Sequence, residues 1–252
     1  MLKVQIIAAV AGTLTAVGAA AQPEYMIIDL GVVDPGDAFS QGLGISPGGV
    51  AVGKSLGVSN AGFTWTQSGG IVALDNLIGR PFNQANGAND IGQAVGTAAS
   101  TFFGSGALPV IWNGSTGSLQ FASYWDNNGH NPITATTSGG AFMVEAFAVN
   151  DAGQVVGHGL DPNNAARNVG LMFDITTGVL TEIDALPGQN GTIGFGLSES
   201  GVATGSSSFN QSGGLAFTGD ATNGASEIPL PAGATTASGR DANSNGWVVG
   251  NA

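Results

Sequence analysis

Several short patterns in this chain carry residue types that do chemistry. Residues 48–55, GGVAVGKS, match G-x-x-x-x-G-K-[ST] in full. That loop binds phosphates only between a strand and a helix, where backbone N–H groups and the helix N-terminus face the anion. The residues after Ser55 are glycine-rich and do not read as a helix. Residues 44–48 and 53–57 both fit G-x-S-x-G, the turn that presents a nucleophilic serine. That turn also needs a strand-to-helix bend and a distant acid and histidine. The chain has only two histidines, His130 and His158, and no helix–strand alternation to carry them. Asp241, Asn243 and Asn245 before Gly246 resemble the start of a calcium loop, without a glutamate at its twelfth position. The two histidines are not spaced as ligands of one metal, and His158, directly after a return strand, reads as a blade-edge residue. Trp65 and Trp112 hold equivalent strand positions, which favours core packing over ligand stacking.

The residues left for a binding role cluster in one place. Tyr124, Trp125, Asp126, Asn127, Asn128 and His130 lie in a stretch of polar and aromatic residues. Aromatic rings stack on sugar faces, while short carboxylates and amides bond sugar hydroxyls. Tyr124, Trp125, Asp126 and His130 are therefore the candidate ligand-binding residues. No catalytic residue, cofactor or metal site is expected.

What must position them is a repeat. Five stretches align without gaps: residues 46–53 (SPGGVAVG), 89–96 (NDIGQAVG), 150–157 (NDAGQVVG), 198–205 (SESGVATG) and 243–250 (NSNGWVVG). Asn or Ser opens a turn by bonding its own backbone, the next glycine takes positive φ, and the apolar residues return as a strand. Small residues precede each turn by two and four positions: Gly42 and Gly44, Ala85 and Gly87, Ala146 and Ala148, Gly194 and Gly196. In a regular strand such positions share one face, so they predict a crowded place such as a common axis. The fifth copy has Gly239 but Asp241. An apolar-aromatic strand comes after each hairpin (62–65, 109–112, 170–173, 216–219), then a glycine turn and a last strand (71–77, 119–121, 179–186, 226–230). Four short strands per unit is the pattern of a propeller blade. The fold expected is all-β: a β-propeller-like array of about five four-stranded units, the last incomplete, with a β-solenoid as the alternative. The units run approximately over 37–79, 80–143, 144–188, 189–233 and 234–252. Residues 25–30 look like an orphan fourth strand able to complete the last unit, and the chain reads as a fragment or as a ring with one thin blade.

The spacing of the closing glycines is 43, 61, 48 and 45 residues. The long interval places about fifteen extra residues within 122–143, the stretch that holds the candidate binding residues. Long loops on a rigid β framework often carry function.

The motifs N-D-x-G-Q-V-V-G and A-F-x-W, with their closing strands, resemble the bacterial HAF-repeat proteins over about residues 25–252. The likeness is closest at 150–157 and 62–65. The family's histidine before Ala-Phe is replaced here by Ala61, Leu108, Val169 and Leu215. The PEP-CTERM sorting tail that many members carry is absent from the sequence. The resemblance implies secretion and a repeat fold, and brings no catalytic residues.

Composition agrees with export and excludes some partners. Five Lys+Arg stand against 17 Asp+Glu, a net charge of −12. Nucleic acid and anionic membranes both require a basic footprint, which is lacking. The acids are scattered singly and read as a solvated face. There is no cysteine. Lys3, an apolar stretch over residues 6–17 and Ala19–Ala21 read as a signal peptide of residues 1–21 cleaved before Gln22. No later segment is apolar enough to cross a bilayer. The expected role is that of a non-catalytic secreted repeat protein, structural or binding extracellular polysaccharide or a surface protein. The alternative is a carbohydrate-active enzyme, which needs two carboxylates about 5–10 Å apart, with Asp241 the obvious first member.

Overall fold

The computed structural model describes residues 6–8, 26–101, 106–113, 131–209 and 212–252. Among them every element is a strand. β1 (Ile6–Ala8) pairs with β2 (Met26–Ile28). Unit 1 comprises β3 (Phe39–Ile45), β4 (Ala51–Leu56), β5 (Ala61–Thr66) and β6 (Gly70–Ala73). Unit 2 comprises β7 (Phe82–Ala88), β8 (Gln93–Ala99), β9 (Leu108–Asn113) and β10 (Asn131–Pro132). Unit 3 has β11 (Phe142–Val149), β12 (Gln154–Asp161), β13 (Asn164–Asp174) and β14 (Leu180–Ile183). Unit 4 has β15 (Gly191–Leu197), β16 (Ala203–Phe209), β17 (Ser212–Asp220) and β18 (Gly224–Glu227). Unit 5 contributes β19 (Ser238–Ala242) and β20 (Val248–Asn251). Units 1 to 4 are antiparallel sheets paired in chain order.

The expected turn chemistry is present in every unit. Ser46, Asn89, Asn150, Ser198 and Asn243 each accept, through the side-chain oxygen, the backbone N–H four residues on. Their own N–H groups bond the carbonyl of that same residue. Gly49, Gly92, Gly153, Gly201 and Gly246 all take positive φ, which costs glycine little and other residues more. A second turn recurs at each unit entrance, where the N–H of Asp37, Arg80, Gly140, Gln189 and Ala234 reaches the carbonyl three residues back.

The small-residue pairs do not share a face as expected, because a bulge lies between them. The register breaks between Gly42 and Gly44, Ala85 and Gly87, Ala146 and Ala148, Gly194 and Gly196, and Gly239 and Asp241. One extra residue reverses the alternation. The first member then faces the preceding unit and the second faces the following one. A Cβ on Gly194 would lie 2.5 Å from the Val156 methyl of unit 3, and one on Gly196 would lie 2.5 Å from the Asp241 Cα of unit 5. Crowding at the axis is therefore real, and it acts on both faces of each first strand.

The same bulge explains the last glycine of the motif. Gly53, Gly96, Gly157, Gly205 and Gly250 each sit opposite it, and a Cβ at any of them would run into the carbonyl oxygen of Gln41, Gln84, Glu145, Ile193 or Ser238 respectively.

Among the described residues, units pack face to face through three apolar clusters. Val52, Leu74 and Leu77 meet Ala85, Val110 and Trp112 between units 1 and 2. Val95, Ile111 and Ile133 meet Met143, Ala146 and Leu171 between units 2 and 3. Val156, Met172 and Ile183 meet Leu197 and Phe217 between units 3 and 4. Trp112 is a core residue here, as expected, and its Nε1–H donates to the Asp75 carbonyl at 3.0 Å.

Polar clamps at the turn tips supplement this packing. The Asn89 side chain donates to the Asn150 carbonyl, and that of Asn150 to the Ser198 carbonyl. Asp90 accepts the N–H of Gly48, Asp151 that of Asp90, and Glu199 that of Asp151, at 2.6–2.8 Å. These acids are thus not simply a solvated face: each ties its unit to the one before it. Asp37 is also structural. Burial would raise its pKa, but hydrogen bonds from Ser55, Ser59 and the Asp34 N–H bring it down to about 2.

Two placements differ from the sequence expectation. The fourth-strand slot of unit 2 is filled by Asn131–Pro132, paired to Val110 and Ile111, so the extra residues fall between the third and fourth strands of that unit. Residues 119–121, expected in that slot, lie outside the described residues. Met26–Ile28 is a strand, as expected, but its partner is β1 and not unit 5.

Gly157→Ala is expected to cost about 2–3 kcal/mol, because the carbonyl it would strike is held in the bulge. Asn150→Ala should cost about 2–3 kcal/mol, since it strands the buried Ser198 carbonyl and the half-buried Gln154 N–H. Urea unfolding measures both. A loss below about 0.5 kcal/mol in either would show that bulge and clamp are not the constraints described.

Candidate functional site

The bulge residues converge on one cavity. Leu43, Asn86, Phe147, Phe195 and Arg240, one from each unit, line a space of about 690 Å³ bounded also by the turn tips. Equivalent positions of all five units thus border one space, in keeping with a propeller-like array.

The bulge side chains of units 3 to 5 form a stacked series. The rings of Phe147 and Phe195 are tilted at 54° with centroids 5.2 Å apart. The Arg240 guanidinium lies 4.5 Å above the Phe195 ring, an attraction of cation and ring quadrupole. Arg240 Nε also donates to Asn251 Oδ1 at 3.2 Å. On its other side Phe147 stacks on His158, with centroids 5.6 Å apart and planes 17° apart.

His158 opens a second chamber, of about 480 Å³, nearer the start of the first strands and lined by Lys54, Gln84, Thr97, Glu145 and His158 among others. Glu145 and His158 are direct partners across β11 and β12, so their Cβ atoms are about 4.5–5.5 Å apart. An amide relay orients the acid. Lys54 Nζ donates to Gln84 Oε1 at 3.2 Å. Gln84 Nε2 donates to Asn86 Oδ1 at 3.0 Å and to Glu145 Oε1 at 3.4 Å. Asn86 Nδ2 donates to the Ala146 carbonyl at 2.8 Å and to Glu145 Oε1 at 3.4 Å. Both amides reach the same carboxylate oxygen, and both bonds are long. His158 Nδ1 is buried without a hydrogen-bond partner, and the Thr97 hydroxyl lies against the Glu145 carboxylate and helps to hold its pKa down.

Burial raises the pKa of Glu145, against the opposing hydrogen bonds of Asn86 and Thr97 and the nearby Lys54 charge. Burial lowers that of His158 below its ordinary 6.5. Both shifts favour the uncharged forms.

The sequence-selected residues fare differently. Tyr124, Trp125, Asp126, Asn127, Asn128 and His130 lie outside the described residues. The neighbours of that segment, Asn113 and Asn131, end the third strand and begin the fourth strand of unit 2. His158 is not a blade-edge residue; it stands inside β12, facing the chamber. The GGVAVGKS run is a hairpin tip followed by β4, with Lys54 spent on Gln84. No helix comes after it, so its amides do not form a phosphate cradle. Ser46 Oγ accepts the Val50 N–H inside its tip turn. Asp241 is exposed at the cavity rim, its carboxylate accepting the Ala242 N–H. It is not the only acid there, since Glu199 lines the same cavity. Among the described residues no three His, Asp or Glu side chains form a group that could hold a metal. No helix among them is long and apolar enough to cross a membrane.

Sequence reasoning missed Glu145, Phe147, Phe195 and Arg240. Their signal was available: each stands in or beside the slot between the two small residues. No family model matches the chain, and no curated protein matches it.

The two buried groups give opposite pH dependences. The unfolded chain takes up its His158 proton first as pH falls below 6.5, so this group lowers stability on the acid side. The unfolded chain loses its Glu145 proton first as pH rises above 4.5, so this group lowers stability as pH increases through that region. His158→Phe should therefore lose less stability than the parent between pH 6.5 and 5, and Glu145→Gln less between pH 4.5 and 6. Thermal unfolding against pH measures both; a parallel shift at every pH would show that neither group is held as described.

Proposed function

We propose that this chain is a non-catalytic secreted repeat protein of the HAF-repeat kind that binds polysaccharide outside the cell or at its surface. The observation that carries this reading is the Phe147–Phe195–Arg240 series, its rings half-buried, facing an open axial cavity. Rings that serve only packing are usually enclosed, as Phe63 and Phe217 are. Here two rings and a guanidinium border solvent space beside amide side chains. Flat apolar faces next to convergent polar groups suit a sugar chain, whose rings have C–H faces and hydroxyl edges. The absence of a basic footprint argues against nucleic acid.

A second reading rests on one specific observation. Glu145 and His158 are directly opposed across β11 and β12, and burial raises the pKa of the acid, as general acids are tuned. A glycosidase or lyase built on them would release reducing or unsaturated ends from a polysaccharide, and Glu145→Gln would abolish that release. Unchanged polymer length in the presence of the parent protein favours the binding reading.

Secretion supplies a separate expectation. Expressed with its leader in a Gram-negative host, the protein should leave the cytoplasm with Gln22 as its first residue, read by intact mass or N-terminal sequencing. That removal takes Ile6–Ala8 with it and frees Met26–Ile28 from its partner. Retention of Met1 on exported protein would overturn the leader assignment.

For the binding reading, affinity electrophoresis through gels holding soluble polysaccharides should show retardation by at least one polymer. Phe195→Ala should weaken that interaction about tenfold or more, the usual cost of removing an aromatic anchor. Retardation that is equal for parent and variant removes the axial series from the site.

A further inference from the structure

Neighbouring units meet through a contact that repeats, and the two ends of the array carry its two halves uncovered. The residue before the closing glycine of the motif faces the next unit, and the residue before the opening Asn or Ser faces the preceding one. Val52 thus shares an apolar cluster with Ala88, Val95 with Val149, and Val156 with Leu197. All six are buried. Their counterparts at the ends are Val249 of unit 5 and Ile45 of unit 1, which are 65% and 53% exposed. Trp247, two residues before Val249 and so on the same face, is 76% exposed. Its counterparts Val50 and Gln154 lie against the next unit. The polar half of the contact is present too. Asn243 keeps the side-chain amide that Asn89 and Asn150 donate to the next unit, and among the described residues only its Oδ1 is engaged. Unit 1 also carries the fourth strand of a sheet that would precede it. Ser40 Oγ donates to the Gly31 carbonyl at 2.6 Å, as Thr192 Oγ1 of unit 4 donates at 2.9 Å to that of Ile183, the last residue of β14. The Asp37 N–H bonds the Asp34 carbonyl as the Gln189 N–H bonds that of Leu186. Residues 28–31 therefore stand before unit 1 where Leu180–Ile183 stands before unit 4.

We infer that unit 5 of one copy docks on unit 1 of a second copy, head to tail, and repeats the contact between neighbouring units. β19 and β20 then supply the first two strands of the sheet whose fourth is residues 28–31. Val249 and Trp247 cover Ile45, and the Asn243 amide reaches the Ser46 carbonyl. The occupant is a second copy because the array leaves both faces bare, and because this sequence already joins such faces at its internal junctions. Two departures make the contact weaker than those. Unit 1 has Pro47 where units 2, 3 and 4 place the clamping acid. Unit 5 has Asp241 where the other units hold Gly44, Gly87, Ala148 and Gly196. A Cβ on Gly44, Gly87 or Gly196 would already lie 2.4–2.6 Å from the backbone of the next unit, so the larger Asp241 side chain holds the copies further apart near the axis. Assembly is therefore reversible. Because the two faces differ, it proceeds until a ring closes or runs on as an open chain.

Sedimentation velocity of the full chain over a range of concentrations tests this, and the mass should rise above that of the monomer. Ile45→Asp and Val249→Asp, both at exposed positions, should each be monomeric, with the thermal unfolding of the parent. Mixed in equal amounts, the two variants should form a heterodimer and nothing larger, since each keeps the face that the other has lost. Asp241→Gly restores the small residue and should move association to about tenfold lower concentration, while Trp247→Ala should move it to about tenfold higher. A parent that stays monomeric at every concentration overturns the proposal, whatever else covers its end faces. Association that survives either aspartate substitution places the contact elsewhere and overturns it. So does an equal mixture of the two aspartate variants that remains monomeric.

Discussion

The structure depends on a bulge in the innermost strand of each unit. A regular hairpin would put the two small residues on one face and leave the other crowded against the next sheet. The extra residue turns one small position toward each neighbour, so successive sheets approach on both sides. The bulge in turn directs a carbonyl oxygen at the second strand, where only glycine leaves it room. The closing glycine of [NS]-x-x-G-x-[AV]-[VT]-G is thus set by a feature of the preceding strand, outside the motif itself. The first glycine serves the turn and the last serves the bulge.

Packing alone does not fix how far one unit rotates against the next, because apolar contacts are not directional. The tip clamps supply direction. Asn89 and Asn150 each bridge to a carbonyl of the next unit, while Asp90, Asp151 and Glu199 bridge back to an N–H of the one before. In each case a backbone group of the turn finds its partner in a neighbouring unit. This also accounts for the acidic residue after the opening Asn or Ser in units 2, 3 and 4. Unit 1 has Pro47 at that position and unit 5 has Ser244, and the acid clamp runs only from Gly48 to Glu199.

Much of the fold was legible because it is written in local chemistry. Turn residues act on their own backbone within four positions, so five copies of Asn or Ser with a glycine three residues on locate five hairpins without tertiary information. The strand order came from four short strands per unit. The candidate site was less legible for a physical reason. Pairing counted outward from the tip of unit 3 in a regular hairpin would set His158 opposite Ala146 and Phe147 opposite Gly157. The bulge shifts this by one, and only then does His158 meet Glu145. Burial of both groups, and the stacking of His158 on Phe147, arise from packing with units 2 and 4, which spacing does not reveal. The acids likewise read as solvated when seen singly, because their partners lie 42 to 61 residues away.

The repeat also separates the positions it needs from those it leaves free. Small residues, turn glycines and apolar strand residues recur in type, since each answers a steric demand common to all units. The bulge slot answers none: its side chain points to the axis, and the five copies carry leucine, asparagine, two phenylalanines and arginine. The opposed pair below it is equally free, holding Gln41 and Lys54, Gln84 and Thr97, Glu145 and His158, Ile193 and Ser206, Ser238 and Asn251. A protein that needed only structure would meet the axis with compact apolar or neutral groups, as unit 4 does at Ile193 and Ser206. Placing an acid, a lysine and an imidazole around the same chamber costs stability through desolvation, which the amides of Gln84 and Asn86 offset only in part. The repeat is indifferent to side-chain chemistry in these slots, so the units differ most in character where their first strands meet the axis.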